Sequence, residues 1–218
     1  MLEVKFIKNK IASENTYFIF NEQVILIIDP GSDENKLLEM IREIGKKPIA
    51  ILLTHTHYDH IMGINALYRM YKKISLYVSK EEEAWLYTPK MNLSGLFYYQ
   101  DMEDVVIDKT DKFFIEDREY NLGGITFQAI LTPGHSIGGV SFAFDKFLLT
   151  GDALFKGAIG RVDLPTGNLD QLLVSIKQKL FIFPDEFKIL PGHGKATTIG
   201  EEKRFNPFFK GQQFNNPH

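Results

Sequence analysis

Residues 54–60 read Thr-His-Thr-His-Tyr-Asp-His, which places three imidazoles and one carboxylate in a single short segment. The whole chain contains only 6 histidines, so half of them lie here. Histidine is the commonest metal-ligating side chain and titrates near neutral pH, so the cluster indicates a metal site or a proton-transfer site. A solvated loop that holds these residues by coincidence is the third interpretation.

A related pattern follows three other apolar runs of the chain. The segments AILLTHTHYDH, QAILTPGH, FLLTGD and KILPGH each pass from an apolar run through Thr, Pro or Gly to His or Asp. A single residue of this kind is more often a hydrogen-bonded turn residue than a ligand. Four together favour one shared site, because ligands of α/β sheets bind beyond the carboxyl ends of the strands. The candidate metal ligands are His55, His57, Asp59, His60, His135, Asp152 and His193.

The spacing also predicts how these residues divide between ions. His55 and His57 are two apart in extended backbone and project to one side, whereas Asp59 and His60 lie where a helix starts and point elsewhere. That geometry suits two adjacent ions better than one. A catalytic tetrahedral ion takes three protein ligands and keeps one open position. We therefore predict one ion at His55, His57 and His135, a second at Asp59, His60 and His193, and Asp152 as a bridge between them.

Composition limits the class of protein. A chain of 218 residues with 44% hydrophobic content can bury a core without disulfides. The formal charge of -3 gives no reason to expect nucleic acid or an anionic membrane as partner. The chain has no cysteine, so thiolate nucleophiles and thiolate ligands are excluded. With no export signal at the N-terminus and no apolar run of about 18 residues, we expect a cytoplasmic protein that acts on a small molecule.

Strands and helices that can position these residues alternate in both halves of the chain. Helical spacing of apolar residues predicts helices near residues 33–44, 59–71, 80–87 and 169–180, and Asn206 with Pro207 is expected to end a last helix. Apolar runs bounded by turns predict strands at LEVKFI, TYFIF, VILIID, IAILL, SLYV, KFFI, ITFQAIL, GVSFAF, KFLLT and FKIL. The alternation indicates a layered α/β architecture in which helices cover sheet faces.

The ordered motifs resemble those of the metallo-β-lactamase superfamily. These are His-x-His-x-Asp-His at 55–60, Gly-His at 134–135, Gly-Asp at 151–152 and Gly-His at 192–193. The resemblance covers most of the chain and implies a single domain over 1–218, folded as a four-layer αββα sandwich with a dinuclear site along one edge. The segments GDALFKGAIGRVDLPTGN, LPGHG and EEKRFNPFF are most similar to the short glyoxalase II-like, or hydroxyacylglutathione hydrolase-like, branch.

The resemblance implies a metal-dependent hydrolase that cleaves S-lactoylglutathione or a related acyl thioester through a metal-bound hydroxide. Two divalent ions are expected, zinc as first choice and iron or manganese as alternatives, with Asp59 or Asp152 as the catalytic carboxylate that passes a proton to the leaving group. Only 25 residues follow His193, so we do not expect the helical domain with which full glyoxalase II enzymes contact glutathione, and glutathione specificity does not carry over.

Several alternatives stay open at this level. A mono-iron persulfide dioxygenase-like enzyme uses the same scaffold with fewer of these ligands, and a lactonase uses the same chemistry on another carbonyl. A binding module that lost its chemistry is disfavoured by the complete ligand set, and a nuclease by the acidic balance. The oligomeric state is not predictable from the sequence.

Further residues are assigned roles around the site. Asp29, Thr54, Thr150 and Ser136 are candidates for either of two roles. They could orient the ligating imidazoles, or they could serve as turn and capping residues. The aromatic segment 85–99 either lines the pocket or packs across a sheet edge, with Asn92 and Ser94 as candidate substrate contacts. A salt-bridged loop that holds Asp152 in place is expected at Gly160, Arg161 and Asp163.

Overall fold

Two six-stranded sheets form the centre of the structure. The computed structural model describes residues 2–95, 103–107, 112–115 and 118–210. Strands of the first sheet lie in the order β1-β2-β3-β4-β5-β6, with β1 to β3 antiparallel and β3 to β6 parallel. They are β1 (Glu3–Lys8), β2 (Asn15–Phe20), β3 (Val24–Ile28), β4 (Lys47–Leu52), β5 (Ser75–Val78) and β6 (Lys112–Phe113).

The second sheet is built mainly from the second half of the chain. Its strands lie in the order β14-β13-β10-β9-β8-β7, and its one parallel pair is β10 with β13. A short separate hairpin is formed by β11 and β12. The strands are β7 (Arg118–Leu122), β8 (Ile125–Leu131), β9 (Val140–Ala143), β10 (Phe147–Gly151), β11 (Leu154–Phe155), β12 (Ala158–Ile159), β13 (Lys188–Pro191) and β14 (Thr197–Thr198).

Helices cover the outer face of each sheet. Side-chain caps begin two of them, because Asn168 accepts from Gln171 N and Thr198 accepts from Glu201 N. The left-handed Gly45 ends the first. The α-helices are α1 (Glu34–Ile44), α2 (Tyr58–Ile61), α3 (Ile64–Met70), α4 (Leu169–Ser175) and α5 (Ile199–Phe205); a 3-10 helix spans Lys80–Tyr87 and a π turn, Ile176–Leu180, continues α4.

Three apolar layers separate these elements. In β2, Phe18 and Phe20 pack in the layer that contains Leu37 of α1, whereas Tyr17 and Ile19 pack between the two sheets. Alternate side chains of a strand point to opposite faces, so a strand buried on both sides reads as one apolar run. The third layer packs α4 and α5 on the second sheet. The predicted four-layer αββα sandwich is therefore confirmed.

Some element predictions were wrong in detail. The helix expected over residues 59–71 is two helices, because Gly63 N donates to the Pro30 carbonyl at 2.8 Å and a Cβ at Gly63 would come within 2.7 Å of the Gly31 carbonyl. Strand β7 was not predicted, since its sequence REYNL is mostly exposed and shows no apolar alternation. The last helix ends at Phe205, as Asn206 and Pro207 indicated.

Within the described ranges, no helix has the length and apolar character that crossing a lipid bilayer requires. The assignment of residues 1–218 to one domain stays a prediction.

Candidate metal centre

The ends of four apolar strands bring the predicted ligands to one edge of the sandwich. His55 and His57 follow β4, and Asp59 with His60 lies in the short helix α2. His135 follows β8, Asp152 follows β10 and His193 follows β13. At the end of β10, Gly151 has a φ of 47° and a Cβ there would collide with the Thr54 side chain, so only glycine fits this turn.

Three histidines form the first cluster of potential ligands. One nitrogen each from His55, His57 and His135 lies within 4.8 Å of the others. His135 Nε2 and His57 Nδ1 are 3.0 Å apart. All three side chains are buried, so these nitrogens face one another with little access to water.

Two histidines and an aspartate form the second cluster. Asp59, His60 and His193 also offer atoms that lie within 4.8 Å of one another. Nε2 of His193 is 3.3 Å from Nε2 of His60 and 3.3 Å from Asp59 Oδ2. Nε2 of His60 is 3.7 Å from the same carboxylate oxygen.

Asp152 lies between the two clusters. Its Oδ1 is 3.5 Å from His60 Nε2, and its Oδ2 is 3.4 Å from His193 Nε2 and 3.6 Å from His135 Nε2. One carboxylate therefore approaches imidazoles of both groups, and all seven candidate ligands meet in a single region. Their assignment as ligands stays a prediction.

Unpaired buried atoms test whether these residues fit metal ions. Within the described part of the chain, His55 Nε2 and Asp152 Oδ1 are buried and have no hydrogen-bond partner. Buried polar atoms without partners are rare, and each one calls for an explanation such as an ion. Imidazole nitrogens and carboxylate oxygens are also donors that divalent zinc, iron and manganese accept. The side chains present therefore fit divalent metal ions.

Electrostatics keep the ligating forms of several side chains available. Burial, together with neighbouring histidines, lowers the pKa of His55 well below its ordinary value and that of His57 to about 3, so both imidazoles stay neutral. Although burial alone would raise the pKa of Asp152, His60 and His193 hold that pKa well below its usual range. Despite burial, Asp152 and Asp59 raise the pKa of His193 to about 10, so a metal ion must displace a proton there.

Partners on the far side of four imidazoles fix their orientation. Asp29 Oδ2 is 3.0 Å from His60 Nδ1, and Thr54 Oγ1 is 3.1 Å from His55 Nδ1. His135 Nδ1 donates to the Arg161 carbonyl at 2.7 Å, and His193 Nδ1 donates to the Ala12 carbonyl at 3.1 Å. Because a carbonyl only accepts, these last two imidazoles turn an unprotonated Nε2 toward the cluster when they are neutral.

Two of the four predicted orienting residues do not contact a ligand in this way. Asp29 and Thr54 do, whereas the Thr150 hydroxyl donates to the Leu154 carbonyl. Among the described residues, Ser136 Oγ forms no hydrogen bond with a ligand imidazole. The carbonyls of Ala12 and Arg161 were missed, since every residue carries a carbonyl and only the fold shows which one a histidine reaches.

The structure does not support Asn92 and Ser94 as candidate substrate contacts. Both are buried and stabilise their own loop, because Asn92 Nδ2 donates to the carbonyls of Trp85 and Val105 and Ser94 Oγ donates to Asn92 Oδ1. The carbonyl of Asn92 accepts from Tyr58 N, at the start of α2. Their polar groups thus support the segment that carries Asp59 and His60.

The loop after β12 packs against the backbone of Asp152. A Cβ at Gly160 would collide with the Asp152 carbonyl, so glycine permits this approach. Arg161 forms two hydrogen bonds with Asp163, at 2.8 and 2.7 Å, and both side chains are exposed. These contacts agree with a salt-bridged loop that supports Asp152.

A cavity of about 450 Å³ opens onto the clusters. Its wall combines candidate ligands with an apolar surface, and among the residues outside the ligand set are Leu93, Phe155, Ile159, Leu164, Tyr58 and Arg161. Among the described residues of the aromatic segment 85–99, Leu93 lines the cavity, and Trp85 stacks on His57 with ring centroids 6.2 Å apart. Residues 96–99 of that segment lie outside the described ranges.

Comparison with known proteins adds sequence and structural relatives. The sequence pattern of the Metallo-beta-lactamase superfamily matches residues 11–193. A "probable metallo-hydrolase" of Streptococcus pyogenes serotype M6 is 46% identical, with 92% of this chain and 88% of that protein covered. Hydroxyacylglutathione hydrolase GloC of Haemophilus influenzae is 33% identical, with 88% of this chain and 90% of that protein covered.

Solved structures show the same likeness. The crystal structure of BLEG-1 B3 metallo-beta-lactamase has a TM-score of 0.90 and 34% identity, covering 96% of this chain and 100% of that one. TTHA1623 in a di-iron-bound form has a TM-score of 0.80 and 31% identity, covering 94% and 99%. The span of residues 11–193 contains every candidate ligand named above.

Proposed function

The chain belongs to the metallo-beta-lactamase superfamily and is a metal-dependent hydrolase, and from that premise we propose that it holds two divalent ions and hydrolyses an acyl thioester. The observation that carries the dinuclear part is the position of Asp152, whose carboxylate lies 3.4 to 3.6 Å from imidazole nitrogens of both clusters. A carboxylate has two oxygens and can therefore bridge two cations. If only one cluster held an ion, the approach of Asp152 to imidazoles of the other cluster would have no function.

The proposed ligand sets follow the two clusters. One ion takes three histidines, the other takes Asp59 with two histidines, and Asp152 is shared. Zinc is the first choice of metal because imidazole and carboxylate both suit it. Iron is supported by the di-iron form of a structure that is 31% identical to this chain, and manganese stays possible through the carboxylates. The proposed ligands are His55, His57, Asp59, His60, His135, Asp152 and His193.

Bound divalent ions supply Lewis acidity toward a carbonyl oxygen and lower the pKa of a coordinated water toward neutrality. The chain supplies the proton-handling groups. Asp59 and Asp152 both line the cavity, and their carboxyl pKa values lie below the ordinary value because nearby histidine charges outweigh the effect of burial. Either carboxylate can accept the proton of the nucleophile and pass it to the departing thiolate. The two residues are alternatives for this role.

The cavity wall offers apolar surface for the acyl or thiol part of a thioester. Leu93, Phe155, Ile159 and Leu164 offer apolar surface beside the metal clusters, and the cavity of about 450 Å³ is of the size that small-molecule sites have. The guanidinium of Arg161 is paired with Asp163. The relative named hydroxyacylglutathione hydrolase GloC supports S-lactoylglutathione as a first substrate to test. We propose that the enzyme works in the cytoplasm on such a small molecule.

A β-lactam is the second candidate substrate. The solved structure named a B3 metallo-beta-lactamase is 34% identical to this chain over nearly its full length, and a β-lactam presents a reactive carbonyl of the same kind. Both candidate reactions add water to a carbonyl carbon, so the site geometry alone supports either. The leaving group distinguishes them, because a thioester releases a thiolate and a lactam an amine.

The deciding experiment is a hydrolysis screen combined with metal analysis. The protein is purified without added metal, its metal content is counted, and S-lactoylglutathione, simpler acyl thioesters, a cephalosporin, a lactone and a phosphodiester are tested. We expect near two equivalents of metal per chain and the highest kcat/KM on a thioester. A single iron with oxygen uptake would instead favour the mono-iron persulfide dioxygenase-like alternative, and preference for a lactone would favour a lactonase.

A further inference from the structure

Glu82 is a fully buried acid that lies behind the three-histidine cluster. It belongs to the 3-10 helix Lys80–Tyr87 and has no exposed surface, whereas Glu81 before it is exposed and Glu83 after it is half-buried. Burying a carboxylate is unfavourable unless hydrogen bonds compensate. The buried carboxylate of Glu82 therefore requires hydrogen-bond donors that its two glutamate neighbours do not.

The partners of Glu82 come from two separate loops, each of which carries a candidate ligand of the three-histidine cluster. Oε2 accepts from Thr56 N at 2.7 Å and from Thr56 Oγ1 at 3.0 Å, and Thr56 lies between His55 and His57. Oε1 accepts from Gly138 N at 2.8 Å, and Gly138 follows His135 by three residues. One carboxylate thus joins segments that are 82 residues apart along the chain, as counted from Thr56 to Gly138.

The packing around this junction leaves no room for adjustment. A Cβ at Gly138 would collide with Ser79 Oγ and would lie 2.9 Å from Glu82 Cγ, so the loop can approach only as glycine. On the same 3-10 helix, Trp85 stacks on the His57 ring at an interplanar angle of 21°. The 3-10 helix therefore supports the cluster in two ways. The Glu82 carboxylate hydrogen-bonds to the two loops, and the Trp85 indole stacks on the imidazole of His57.

We infer that Glu82 is a positioning residue that holds His55, His57 and His135 in one relative geometry and so sets the metal affinity of that cluster. Among the described residues, Glu82 forms no hydrogen bond with a candidate ligand side chain, and it does not line the cavity. Its hydrogen bonds fix the backbone from which the imidazoles project, and hydrogen bonds to an ionised carboxylate are among the stronger ones. Burial raises the pKa of the Glu82 carboxyl, and the Ser136 hydroxyl, the backbone N–H groups of Gly138 and Thr56 and the Thr56 hydroxyl oppose that rise. The inference rests on the proposed dinuclear site.

The test compares Glu82→Gln with the matched control Glu81→Gln, which changes the exposed neighbour in the same way. In glutamine, an NH2 group replaces one of the two carboxylate oxygens that accept hydrogen bonds. That NH2 group then faces a donor of Thr56 or Gly138, so the loop that carries this donor loses its hydrogen bond to residue 82. Each protein is equilibrated with zinc against a graded series of chelator, and bound zinc per chain is counted. Cobalt substitution provides a visible spectrum that reports ligand geometry.

We expect Glu82→Gln to raise the dissociation constant of one metal equivalent about tenfold or more, as loss of an outer partner of a ligand does. The other equivalent and the control should stay within about twofold of wild type. If folded Glu82→Gln bound both metal equivalents with the wild-type dissociation constants, the inference would be overturned. Parallel loss of both equivalents would also overturn it, because a merely weaker fold affects the two sites alike.

A second variant keeps the inference testable if Glu82→Gln does not fold. Thr56→Val preserves shape and the Thr56 N–H bond but removes the hydroxyl bond to Glu82 Oε2, so it should weaken the same equivalent by a smaller factor. Unchanged affinity in Thr56→Val would then overturn the inference. A wild-type protein that binds a single equivalent would defeat the dinuclear proposal instead, and the change in that equivalent would still decide the role of Glu82.

Discussion

Asp29 directly follows strand β3, and its Oδ2 lies 3.0 Å from Nδ1 of His60. The same carboxylate accepts from Thr54 N at 2.7 Å and Thr54 Oγ1 at 2.6 Å. Asp29 has a φ of 50°, a left-handed conformation that aspartate and asparagine tolerate better than most residues. A strained backbone position thus carries a side chain that contacts His60 directly and also holds Thr54, whose hydroxyl contacts His55.

Asp29→Asn should weaken metal binding at the cluster of Asp59, His60 and His193. Asparagine tolerates the left-handed backbone, but its amide has one acceptor oxygen where three donors converge on two. We expect metal affinity to fall about 10- to 100-fold, as measured by bound zinc against a chelator series. Asp33→Asn is the control, since Asp33 pairs with Lys36 at 2.7 Å. Wild-type affinity in Asp29→Asn would show that the contact to His60 is dispensable.

Asp152→Ala should abolish turnover and leave most of the fold intact. The side chain approaches both clusters and Oδ1 has no hydrogen-bond partner among the described residues, so its removal takes little from the packing. We expect kcat/KM to fall by at least about 10²- to 10⁴-fold, as loss of a proton-transfer group does, with an unchanged circular dichroism spectrum. Asp145→Ala, at an exposed turn, serves as control. Unchanged activity in Asp152→Ala would remove the proposed mechanism.

Most of the site could be predicted from the residues that directly follow the apolar strands. An apolar run followed by a short Thr, Pro or Gly turn and then His or Asp occurs four times. Parallel pairing of β10 with β13 explains why two of those ends, at Asp152 and His193, lie side by side. The sandwich was predictable for a similar reason. Strands such as β2, whose alternate residues fill two different apolar layers, require cover on both faces.

Long-range backbone contacts could not be predicted from sequence. The carbonyls of Ala12 and Arg161 orient His193 and His135, yet neither residue type signals such a role. Glu82 sits in a run of glutamates that reads as an exposed helix face, and only the fold shows that one of the three is buried. Tertiary contacts also decided the break at Gly63, where local apolar spacing alone favoured one continuous helix.

Gly192→Ala should release metal although it replaces no ligand. A Cβ at this position would collide with Asp152 Oδ1 and lie 2.8 Å from His60 Cε1, so it pushes on both candidate ligands directly. Gly194→Ala is the matched control. Its φ of 79° makes alanine strained, but nothing lies within 4 Å of the added Cβ.

The two variants separate steric damage at the site from backbone strain. We expect Gly194→Ala to lose about 1 kcal/mol of unfolding free energy and to keep its metal. Gly192→Ala should lose at least one equivalent of zinc, counted after gel filtration. Full metal content in Gly192→Ala would contradict the placement of Asp152 against His60.

Glu14→Gln should change how stability depends on pH. Glu14 is fully buried, Oε2 accepts from Asn9 Nδ2 at 2.6 Å, and Oε1 has no partner among the described residues. Burial raises its carboxyl pKa well above the ordinary value of 4.5, outweighing the attraction to His60. The folded protein therefore keeps this proton at pH values where the unfolded chain has released it, so Glu14 makes the free energy of unfolding fall as pH rises above about 4.5.

Glutamine mimics the protonated acid and removes that contribution. In urea unfolding of the metal-free protein, the difference in unfolding free energy between Glu14→Gln and wild type should grow from pH 4.5 upward, while the exposed control Glu22→Gln shows no such trend. A constant difference across that range would mean that Glu14 ionises alike in the folded and unfolded states.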